Sequence, residues 1–120
     1  MNKNNEIRVA ITGFGGLDNS EPGTAVARAL KSGWEGKISI DALGYDPWMT
    51  GAFSPGLIDN IHILPPLADG DHAILERIIE INKKRKFHAI ISTLELEIAV
   101  LSRLEERLKS RGIKVLVPSN

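Results

Sequence analysis

The sequence predicts an α/β fold, an open parallel sheet of about five strands ordered 3-2-1-4-5 with helices on both faces. Three observations carry this. Short apolar runs rich in Ile and Val alternate with segments of helical period along the chain, the order that parallel sheets require. The first run breaks at Gly13-Phe14-Gly15-Gly16, a sharp exit from a sheet, before a helix begins. The chain has 120 residues, of which 42% are hydrophobic, enough for one core and too few for two ordinary domains. Residues 1–6 are expected to be extended or disordered, and residues 7–120 to form the single domain.

The first strand starts at Ile7, where Ile7, Val9 and Ile11 alternate with Arg8, Ala10 and Thr12. After the glycine turn, Ser20 is suited to cap a helix, Pro22 to its first turn, and Gly33 to its far end. The second strand spans Lys37 to Leu43, with Ile38, Ile40 and Ala42 on one side and Ser39 and Asp41 on the other. It stops at Gly44-Tyr45-Asp46-Pro47, and a loop of roughly fifteen residues, holding Trp48, Met49 and Phe53, runs to Asn60. Ile61 to Leu64 is a short third strand ended by Pro65-Pro66.

Asp69 or Asp71 is expected to cap the second helix, which runs to about Arg85. Ile74, Ile78 and Ile81 form its apolar stripe, widened by Leu75 and Ile79, and Glu76, Arg77, Glu80 and Lys83 face outward. Lys83-Lys84-Arg85-Lys86 closes it, where cations favour a helix C-terminus. Ala89 to Ile91 is the fourth strand. The third helix takes Glu95 to Ser110 with Ile98, Leu101, Leu104 and Leu108 inward, and Gly112 ends it. The fifth strand is Lys114 to Val117. Every helix separates strands that should be parallel, and right-handed crossovers then give the 3-2-1-4-5, Rossmann-like order.

Composition excludes several functions. Fifteen basic residues balance fifteen acidic ones, against a nucleic-acid-binding surface. No cysteine is present, which removes disulfides, thiolate metal sites and cysteine nucleophiles and suits a cytoplasmic location. No apolar run approaches the ~20 residues of a membrane helix, and the polar N-terminus is no signal peptide. His62, His72 and His88 have no metal spacing and read as structural or solvated.

In an open parallel sheet, ligands gather at the carboxyl ends of the strands. That rim collects the Gly13, Phe14, Gly15 and Gly16 turn, Asp46, and Thr93 with Glu95 and Glu97. The turn lacks the third glycine of a dinucleotide fingerprint, since Asp18 stands in its place and would repel a pyrophosphate. A dinucleotide is therefore the least favoured reading of the turn, beside a turn with no ligand and, ahead of both, a small molecule held by backbone amides. The two glutamates are either first-turn residues favoured by the helix dipole or carboxylates for an ammonium or hydroxyl group.

Four segments together resemble one family: Ile11-Thr12-Gly13 with Gly15-Gly16, Ala25 to Lys31, Gly44 to Pro47, and His88 to Asn120. They are similar to the N-terminal, pre-ATP-grasp domain of ATP-grasp ligases, in the carbamoyl-phosphate-synthase-like branch. In the last segment Thr93 takes the family's threonine place, Glu95 stands where aspartate is common, Glu97 takes the glutamate place, and Ser92 replaces a frequent proline. The stretch Leu17 to Pro22 is an insertion against the family pattern.

The resemblance implies the substrate side of an enzyme that joins an ATP-activated carboxylate to an amine or thiol. By that likeness, Gly13, Phe14, Gly15 and Gly16 would contact substrate through the backbone, and Asp46, Thr93, Glu95 and Glu97 through side chains. The resemblance implies no catalytic residue, metal ligand or cofactor site in this chain. ATP and magnesium would bind a following ATP-grasp domain, on the same or a separate chain, and a homodimer is compatible with it. The alternative is a free-standing Rossmann-like nucleotide-binding or regulatory module.

Overall fold

The computed structural model describes residues 6–14, 21–44, 56–92 and 95–116. The elements run β1 (Glu6–Phe14), α1 (Glu21–Gly33), β2 (Lys37–Gly44), β3 (Asn60–Ile63), α2 (Asp71–Lys84), β4 (Ala89–Ile91), α3 (Glu95–Lys109) and β5 (Lys114–Leu116), with one 3-10 turn at Leu67–Asp69 before α2. All four pairings in the sheet are parallel, and the strand order is β3-β2-β1-β4-β5, as the alternation of strands and helices predicts.

Two cores flank the sheet, and the period of two along each strand decides which residues enter which. Val9, Ile11, Ile40 and Ala42 pack with Ala27 of α1. Ala10, Leu43 and Ile90 face the opposite way, beneath Ile74, Ile78 and Ile81 of α2 and Leu101, Leu104 and Leu108 of α3. The helices therefore lie on both faces, α1 on one and α2 with α3 on the other. Both faces of β2 are covered, so Ser39 and Asp41 are buried along with Ile40 and Ala42.

Several element ends differ from the sequence reading. β1 continues through Gly13 and Phe14, with an irregularity in its pairing to β2 between Ile11 and Phe14, so the strand overruns the start of the glycine cluster. β3 begins one residue early, at Asn60. The expected aspartate cap of α2 is replaced by Gly70, whose φ of 98° only glycine adopts readily. Asp71 instead lies inside the first turn, and its carboxylate accepts from Arg103 of α3 at 2.6 and 2.9 Å. A cross-helix ion pair has taken the carboxylate that a cap would have used. Hydrogen bonds from the Arg103 guanidinium, aided by its charge, hold the Asp71 carboxyl below its ordinary value. Ser20 and the glycine turn at Gly15 and Gly16 lie outside the described residues, as does the loop through Trp48, Met49 and Phe53. Among the described residues, no helix is long and apolar enough to cross a membrane.

Candidate functional site

The carboxyl ends of β1 and β4 meet side by side, because Ala10 is in register with Ile90 and Ile11 with Ile91. Two residues beyond Ala10 and Ile90, on the same face, stand Thr12 and Ser92. The Thr12 hydroxyl donates to the Ser92 hydroxyl at 3.0 Å, and both residues are buried. The Ser92 amide also donates to the Leu116 carbonyl at 3.2 Å, tying the end of β4 to β5.

Glu97 comes to the same place from the first turn of α3. It is only 3% exposed, and it lines a narrow cavity with Thr12, Leu64, Ile78 and Leu101. The cavity measures about 10 Å³ and so has room for about one water. A substrate would therefore rest on the rim rather than enter it. Burying a carboxylate among Leu and Ile side chains is costly unless polar groups meet it, and the Thr12 hydroxyl lines the same cavity as this acid.

The sequence-predicted residues are placed as follows. Gly13 and Phe14 form the last two residues of β1, at the sheet's carboxyl edge. Glu95 opens α3, one turn from the end of β4, and Glu97 lies two residues on. The register thus brings Gly13, Phe14, Glu95 and Glu97 to one end of the molecule. Gly15, Gly16, Asp46 and Thr93 lie outside the described residues.

Sequence reasoning missed Thr12 and Ser92 as members of this site. A signal was available: two neighbouring strands of apolar residues each end in a hydroxyl, and parallel register sets such ends together. It also missed a second polar cluster on the same face, nearer the far end of α2. There Asp41 accepts from His62 Nε2 at 2.7 Å and from Arg85 Nε and Nη2 at 2.7 and 3.1 Å. Arg85 Nη2 also donates to the Ser39 hydroxyl at 3.0 Å. Burial pushes the Asp41 carboxyl up, but the hydrogen bonds from His62 and Arg85, with their charge, outweigh it and hold the group below its ordinary value. The basic run at the end of α2 thus reaches into the sheet through Arg85.

The Asp41 cluster has the look of an acid–histidine pair, but its geometry is that of a brace. Both carboxylate oxygens are occupied, and the Phe87 ring stands edge-on to His62 at a centroid distance of 6.2 Å. Arg85 and His62 are the partners a buried aspartate needs, and they pin α2 and β3 to β2. His88 is likewise structural, its Nδ1 accepting from the Arg8 amide at 3.0 Å. His72 is exposed beside Glu76. Among the described residues no group of three or more acidic, histidine or cysteine side chains is placed to hold a metal ion.

A wider groove of about 960 Å³ lies beyond Leu64, along the exposed side of α2 between Pro65, His72 and Lys83. It contains none of the predicted site residues. No family model matches this chain, and no curated protein matches it.

Proposed function

We propose that this chain is the substrate-side, pre-ATP-grasp domain of an ATP-dependent ligase of the carbamoyl-phosphate-synthase-like branch, working in the cytoplasm with an ATP-grasp domain. One observation supports the reading above others. The end of β1, which leads into the glycine turn, and the start of α3, which bears Glu95 and Glu97, stand side by side at the sheet's carboxyl edge. These are two of the segments on which the resemblance rests, and a rim of this kind is where parallel sheets bind ligands.

On this reading the division of labour is simple. An ATP-grasp domain supplies ATP and magnesium, which convert a substrate carboxylate to an acyl phosphate for attack by an amine or thiol. This chain binds and orients. Backbone N–H groups around Gly13 to Gly16 meet polar atoms of the substrate, and Asp46, Thr93 and Glu95 supply side-chain contacts. Glu97, predicted as a further side-chain contact, is only 3% exposed and lines the narrow cavity beneath that rim.

The test is a two-dimensional amide NMR titration of the chain with amino acids and small carboxylic acids, with NAD and ATP in parallel. Amide shifts grouped at Gly13, Phe14, Ser92 and Glu95 with the acids are expected, together with no ADP release from ATP and magnesium. Steady ADP release by this chain alone would overturn the reading. Shifts produced by NAD or ATP and by no acid would favour a free-standing nucleotide-binding module instead.

A further inference from the structure

We propose that the outer edge of β5 is a self-association surface, on which a second copy of this chain pairs antiparallel about a two-fold axis through Val115. The hydrogen-bond pattern of the strand points to it. The Lys114 amide donates to the His88 carbonyl at 3.1 Å, and the Leu116 carbonyl accepts from the Ser92 amide at 3.2 Å. Both residues thus turn their backbone groups towards β4. By the alternation of a strand, Val115 between them turns its N–H and C=O away from the sheet. β5 ends the sheet, so among the described residues that edge has no strand beside it.

A two-fold axis through Val115 makes the two valines a mutually hydrogen-bonded pair, each donating to the other's carbonyl. The same register sets Lys114 of each copy across from Leu116 of the other. No like charges are opposed, and the lysine's aliphatic stem covers Leu116, which is 40% exposed in the single chain.

Charge selects the occupant. The groove beside this edge, about 440 Å³, is walled by Glu105 and Lys109 of α3 together with Lys114 and Val115. Glu105 and Lys109 stand one helical turn apart, and neither enters an ion pair among the described residues. A two-fold axis reverses the order of the second helix, so Glu105 of each copy faces Lys109 of the other. The surface is complementary to itself, which a docking site for a partner of one charge sign is not.

The opposite edge of the sheet is closed to the same use. Arg77 Nε donates to the Ile63 carbonyl at 2.9 Å, and its Nη1 is held by Glu80 at 2.7 Å. A charged side chain laid on an edge carbonyl is one way that proteins block edge-to-edge pairing. One edge is guarded, and the other has no strand or side chain laid on it among the described residues.

Three paired residues make a small interface, so the association should be weak, with a dissociation constant on the order of 10–100 μM. Sedimentation equilibrium of the whole chain across that range is expected to show a monomer–dimer equilibrium. Glu105→Lys and Lys109→Glu, each alone, should weaken it by about 10-fold, and the two together should restore it to within about 3-fold. Both positions are exposed, and circular dichroism checks that each variant is folded. On the unaltered chain, hydrogen exchange at the Val115 amide should slow as concentration rises while exchange in α1 does not. A monomer throughout the range would overturn the proposal. So would a dimer that ignores both charge reversals and leaves Val115 exchange unchanged.

Discussion

Thr12 and Ser92 join hydroxyl to hydroxyl at 3.0 Å, linking the ends of β1 and β4 across 80 positions of sequence. With Thr12 2% and Ser92 0% exposed, neither hydroxyl has ready access to water. Removing one therefore leaves the other short of a partner. Thr12→Val and Ser92→Ala are each expected to cost about 1–2 kcal/mol of stability, and the double variant less than their sum by about 0.5–1.5 kcal/mol. Urea denaturation, read as a shift of midpoint at constant slope, measures all three. Strict additivity would show that the two hydroxyls do not depend on each other.

The Asp41 cluster gives the chain an acid limit. Its carboxyl titrates below the ordinary value of 3.8 in the folded chain and near that value in the unfolded one. At low pH the unfolded chain then binds the extra proton, so the stabilisation is complete above 3.8 and is lost as pH falls through the folded value. Melting temperature should fall as pH is lowered below the ordinary value of 3.8, and Asp41→Asn should flatten that fall while lowering the plateau. The Asp71–Arg103 pair shifts in the same direction, but its arginine is exposed and solvent screens the pair. An unchanged acid limb in Asp41→Asn would place the titrating group elsewhere.

How far the sequence told this in advance depended on period and register. Strand existence and order were legible, because Ile7, Val9 and Ile11 and then Ile74, Ile78 and Ile81 announce their periods without reference to the rest of the chain. Element ends were less so. Asp69, Gly70 and Asp71 are adjacent candidates for the start of α2, and the pairing of the Asp71 carboxylate with Arg103, thirty-two residues downstream, could not be read from the local sequence. The gathering of Gly13, Phe14, Glu95 and Glu97 at one end followed from parallel strands alone. The Asp41–His62–Arg85 brace did not. Its members come from β2, β3 and the end of α2, and an aspartate in an apolar strand says only that partners exist, not which cations they are.

The turn between α3 and β5 rests on one backbone angle. Gly112 has a φ of 81°, its amide donates to the Lys109 carbonyl at 2.9 Å, and the Ile113 amide donates to the Leu108 carbonyl at 3.0 Å. These bonds satisfy the last carbonyls of the helix and deliver Ile113, fully buried, into the core ahead of Lys114. An added Cβ at Gly112 would meet no atom within 4 Å, so a substitution there pays only for the left-handed backbone. Gly112→Ala is expected to cost about 1 kcal/mol, and Gly112→Asn less, because asparagine tolerates that conformation better. Gly33 is the control. It also has open space around it, but its φ is not positive and it sits inside the last turn of α1. Gly33→Ala should leave stability unchanged or raise it by up to about 1 kcal/mol. Chemical denaturation of the three variants measures the contrast, and equal effects at both positions would mean that the helix-ending angle at Gly112 is not what positions β5.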